Sequence, residues 1–225
     1  MYKRNQVEWA LWHAVAGDGA IGVEPVIQFV HTVKRLIDID RKMEIDTTSR
    51  EDWERRFAFL DGTPQGRGGE NMYSAEAIVS LWIGIQLLAA GHPQTETIQF
   101  LRRLRPLLDK ATGSLLREHE ATIEEALRQK ASVGERLRLM RYLAPDQRLY
   151  LVAETVSKDG VLSERTRKPG SRLSNLCAGR EQLVEYIETY VSRSKRFAVV
   201  EIADAVLAIA YLLPQAEPVR RGRPG

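Results

Sequence analysis

The run from Ala75 to Ala90 constrains this chain more than any other segment. Ile78, Val79, Leu81, Trp82, Ile83, Ile85, Leu87 and Leu88 fall on most sides of a helix at 3.6 residues per turn. A helix that is apolar nearly all round has no face to give to water, so other elements must surround it. Its limits are written locally. Ser74 is a natural N-cap with Glu76 in the first turn. Gly91 stops the helix, and Pro93 opens another that runs from Thr95 to about Asp109 with Ile98, Leu101, Leu104 and Leu108 inward.

Helical periodicity recurs on both sides. Residues 2–16 place Val7, Leu11 and Val15 four apart beside Trp9 and Trp12, and Gly17-Asp-Gly19 breaks the pattern. Pro25 precedes Val26, Phe29, Val30, Val33, Leu36 and Ile37, which predicts a second helix to about Lys42. Residues 44–51 read as a polar linker, and Ser49 with Asp52 would cap a short helix through Trp53. Phe57 to Leu60 reads as a strand entering a flexible turn, with five glycines or prolines between Gly62 and Gly69. Residues 113–143 carry one weak stripe, Leu116, Ile123 and Leu127, among many charges. That suits docking or homodimer contact, or a peripheral helix lying on its own domain.

The character changes after Pro145. Arg148 to Glu154 is rich in strand formers, and Ser157-Lys-Asp-Gly160 reads as a turn. Residues 161–176 fit a second strand or a loop, residues 180–192 a helix, and Arg196 to Ile202 a strand. Ala203 to Leu213 reads as an apolar helix stopped by Pro214. The expected class is mainly α, α+β overall: a helical domain over 1–144 with a winged-helix-like element, a small α+β domain over 145–214, and a basic disordered tail over 215–225.

Composition narrows the function. In 225 residues there is no run of eighteen apolar residues, so no membrane span or membrane partner is expected. The first residues lack the uninterrupted apolar segment of a secretory signal. A lone Cys177 excludes an intrachain disulfide and a multi-cysteine zinc site. It fits a cytoplasmic protein and reads as a buried small hydrophobe. His13, His31, His92 and His119 share no metal-ligand spacing. No nucleophile elbow, P-loop or dinucleotide fingerprint is present, so no catalytic role, cofactor or metal is expected. Net charge is +3, yet cations gather in the final third, including Arg165, Arg167, Lys168, Arg172 and Arg220 to Arg223. A local positive field attracts phosphate backbones whatever the total charge.

The glycines around Arg67 would let that side chain and the backbone approach a duplex closely, or would form a plain flexible loop. Leu60 to Glu76, with its glycine-rich turn followed by Tyr73-Ser-Ala-Glu76 and an aliphatic helix, and then Gly91 to Ile98, resembles the wing and second half of a MerR-type winged helix-turn-helix over roughly residues 57–108. The resemblance implies a bacterial-type transcriptional regulator that binds duplex DNA, with Arg55, Arg56, Arg67 and Tyr73 at the interface. The long helix at 25–42 departs from that pattern, and Arg55-Arg-Phe57 stands where an Arg-Tyr-Tyr is usual. Arg102, Arg103 and Arg105 would clamp phosphates or serve the packing. Arg220-Arg-Gly-Arg-Pro224 resembles an AT-hook core, in which Arg221 and Arg223 would enter a narrow minor groove, or is a solvated basic tail. The competing expectation is a helical protein-interaction adaptor.

Overall fold

In a computed structural model of the chain, the described residues are 1–16, 23–43, 56–62, 71–128, 147–155, 162–163, 175–189 and 196–218. They form α1 (Arg4–Ala16), α2 (Ile27–Lys42), α3 (Ala75–Ala89), α4 (Gln94–Glu118), α5 (Glu120–Arg128), β1 (Leu149–Thr155), β2 (Leu162–Ser163), β3 (Leu176–Ala178), α6 (Gly179–Thr189), β4 (Arg196–Glu201) and α7 (Ala203–Leu212). A 3-10 turn, Leu213–Gln215, follows. The protein is mainly α with one antiparallel sheet.

Helix α3 is buried on nearly every side, from Ala77 through Ile85 and again at Leu87. Ser74 Oγ accepts from the Ala77 N–H at 3.1 Å, closing the N-terminus as its residue type requires. At the other end Gly91 takes φ +85°, which a side chain would oppose. The second greasy helix, α7, packs against α1, α3, α4 and α5. The core therefore runs across the boundary expected near residue 144, which lies outside the described residues: Leu11, Leu36, Ile83 and Leu104 share one cluster with Leu151, Val206 and Ile209. Each such side chain contributes about 1.5–3 kcal/mol by leaving water.

The sheet separates that core from α6. Strand β1 pairs with β4 along one edge and with β3 and β2 along the other. The strand period of two sends Leu151, Ala153 and Val200 to the helical core, while Val152 and Cys177 face Tyr186 of α6. Beneath α6, Tyr186 Oη donates to Glu154 Oε1 at 3.2 Å, and Asn175 Nδ2 donates to the Val152 carbonyl at 2.7 Å.

Two expectations are corrected. Residues 57–60 are not a strand, because their backbone groups are bound by side chains: Asp40 Oδ2 accepts from the Phe59 N–H at 3.1 Å and Arg105 Nη1 donates to the Ala58 carbonyl at 2.9 Å. Phe59 also fills the space left by Gly84, where a Cβ would lie 3.3 Å from the Phe59 ring. Helix α4 does not end near Asp109 but continues through Pro106 and Gly113 to Glu118. The buried positions Leu108, Thr112 and Leu115 keep the helical period beyond the proline, and that packing outweighs one lost backbone bond.

Candidate nucleic-acid interface

Helix α2 divides its residues cleanly by face. Val33, Leu36, Ile37 and Asp40 are buried, while His31, Lys34, Arg35, Arg41 and Lys42 are exposed. At about 100° per residue the exposed set occupies an arc of about 120°, and it spans roughly 16 Å along the axis. No ion pair engages Lys34, Arg35, Arg41 or Lys42 among the described residues. Asp38, half-buried, is the acidic group on the same arc.

The buried side of α2 is anchored by charge. Asp40, fully buried, pairs with Arg102 of α4, Nε to Oδ1 at 2.9 Å, and Arg102 Nη2 donates to the Asp40 carbonyl at 2.6 Å. The guanidinium stands over the Phe57 ring, 5.6 Å from its centroid. Burial pushes the Asp40 carboxyl above its ordinary value, and the Arg102 charge and hydrogen bonds pull against that rise. One helical turn on, Arg105 binds Asp61 at 2.6 Å and Asp109 at 2.5 Å in addition to the Ala58 carbonyl. Asp61 in turn accepts from the Ser74 N–H at 2.8 Å. This last bond holds residues 61 and 74 together as a neck, and residues 63–70 between them lie outside the described residues.

The expected site residues meet this arrangement unequally. Arg56 is half-buried at the start of the pinned stretch 56–62, whereas Arg55, Arg67, Arg221 and Arg223 lie outside the described residues. Tyr73 is 2% exposed and exchanges two 2.9 Å backbone bonds with Tyr2, so its ring belongs to the core rather than to a contact surface. Burial pushes its phenol above the ordinary value. The charges it senses are Arg4, Arg41, Glu8 and Asp38. Arg102 and Arg105 are buried ion-pair partners and reach no phosphate, while Arg103 is half-buried.

Helix α5 buries Ile123 and Ala126 and packs on α7, with Leu127 at 36% exposure and Glu120, Glu124 and Glu125 outward. Residues 129–143 of the segment expected to dimerise lie outside the described residues. Cys177 is buried, and desolvation together with Glu185 raises its thiol to about 11, the state of an unreactive hydrophobe. Among the described residues no group of three His, Cys, Asp or Glu is placed to hold a metal ion, and no helix is long and apolar enough to cross a membrane.

The apolar stripe that marks α2 in the sequence does not itself mark its cations. The complementary arc of the same helical period contains them. Asp40 carried a second signal: an acid inside an apolar stripe needs a buried cation. No protein-family model, curated protein or solved structure matches the chain.

Proposed function

We propose that this protein binds duplex DNA as a bacterial-type regulator, with the outward arc of α2 on the phosphate backbone. The observation that carries the reading is the set of exposed cations at Lys34, Arg35, Arg41 and Lys42 on one helix face, with no ion pair among the described residues. Such a face repels its own charges and gains most from a dense line of anions, whose condensed counterions it releases on binding.

Arg56 and Arg67 extend the surface in this reading. Arg221 and Arg223 of the tail add affinity on A/T-rich sites. Anisotropy titration of a labelled mixed-sequence duplex at two salt concentrations tests the proposal. Binding that weakens steeply with salt supports it, and no binding at low salt turns the assignment to a protein-interaction adaptor.

A further inference from the structure

The exposed arc of α2 is divided once more along its length. At about 100° per residue, Lys34 and Arg41 fall on one edge of the arc, and Arg35 and Lys42 on the other, about 100° away. The two cations of each edge are separated by two helical turns, about 10 Å along the axis. Between the edges run His31, which is exposed, and Asp38, which is half-buried. Among the described residues no ion pair ties Asp38 to the cations on either side of it.

Two cationic edges around a centre without cations fit one placement on a duplex. Against a single strand, the centre line would face phosphates, and Asp38 would meet its own sign of charge. The minor groove, about 6 Å wide, is too narrow for a helix, and its A·T pairs offer a carboxylate acceptors only. The major groove, about 12 Å wide, admits a helix. There each cationic edge faces one line of phosphates. The centre line faces the base edges, which include the amino donors of cytosine N4 and adenine N6.

We propose that α2 lies along the major groove and that Asp38 reads sequence by accepting a hydrogen bond from cytosine N4. The inference rests on the DNA reading and adds selectivity to it, since phosphate contacts position a protein on the duplex without telling one sequence from another. Side-chain length suits the division of labour. Lys34, Arg35, Arg41 and Lys42 are long enough to reach sideways to the groove walls, while the short carboxylate of Asp38 stays over the floor. With no cation of its own fold bonded to it, that carboxylate keeps its acceptor positions for a base.

Selection of bound duplexes from a randomised library by the full chain, followed by anisotropy titration of the selected sequences, tests the assignment. The wild type enriches a C·G pair at one position, and changing that pair to T·A weakens binding about fivefold or more, because thymine presents the O4 acceptor where cytosine presents a donor. Asp38→Asn moves the preference at that position to adenine, whose N6 and N7 an amide matches, and Asp38→Ala loses the preference. Both variants keep the wild-type melting curve and salt slope. Salt-sensitive binding with no enriched position overturns the inference and leaves the DNA reading standing. So does an Asp38→Asn chain that gains affinity equally on every duplex and keeps the wild-type preference. Absence of duplex binding at low salt overturns both.

Discussion

Removing Arg102 is the sharpest test of how α2 is held. Arg102→Met keeps most of the apolar stem but deletes the 2.9 Å pair with Asp40 and the donor to the Asp40 carbonyl. Asp40 is fully buried, and its carboxylate also accepts from the Phe59 N–H at 3.1 Å. Breaking a buried pair from one side costs about 3–5 kcal/mol, because the remaining charge is left in a poor solvent. For a chain of this size each kcal/mol moves the midpoint by about 2–4 °C, so Tm should fall by about 6–20 °C.

Protonating Asp40 relieves the stranded charge. Its carboxyl already lies above the ordinary value in the intact protein, and without Arg102 it rises further. A group raised on folding contributes stability below its unfolded pKa and loses it as pH climbs through the folded one. The deficit of Arg102→Met should therefore shrink toward pH 4 and be largest above neutrality. Asp40→Leu combined with Arg102→Met should recover much of the loss, since replacing both partners with apolar groups is often close to neutral. Thermal melts followed by circular dichroism across pH read all three variants. A loss below about 1 kcal/mol, or one that does not change with pH, would refute a buried electrostatic anchor.

Two further outcomes follow from the core and the sheet. Trp82→Asp in α3, where Trp82 is 8% exposed, should give a chain without a cooperative melt, because an unpaired carboxylate is placed in the core; a soluble variant with a sharp transition would contradict the packing of α3. Glu201 is raised to about 7, first by desolvation and then by Asp204, and accepts from the Ala203 N–H at 3.0 Å. Its contribution is complete below about pH 4.5 and lost as pH rises through 7, so the difference in Tm between wild type and Glu201→Gln should change over that interval; a flat difference would contradict the shift.

Much of the fold was legible because hydrophobic period is a local property. The limits of α1, α2, α3 and α7 and the strands β1 and β4 lie within two or three residues of where side-chain pattern and caps put them. What failed depended on partners distant in sequence. Residues 57–60 look like a strand until Asp40 and Arg105 occupy their backbone groups, and no local pattern announces a donor 47 residues away. The stretch between Asp109 and Gly113 looks like a break until Leu108, Thr112 and Leu115 are seen to pack. Tyr73, an interface residue by resemblance, is held in the core by its bridge to Tyr2. Arg56 is half-buried. The α2 arc was readable, but charge on a helix surface is so often ordinary solvation that only the lack of ion pairs among the described residues singles it out.

The salt dependence of duplex binding, compared between the wild type and a variant with Lys34, Arg35, Arg41 and Lys42 all changed to alanine, tests the central claim most directly. These side chains are exposed, so the variant should keep the wild-type melting curve. Each phosphate contact adds about 0.9 to the slope of log affinity against log salt, so losing four should flatten that slope by roughly 3–4 and weaken binding most at low salt. A variant that binds with the wild-type slope would show that α2 does not face the duplex.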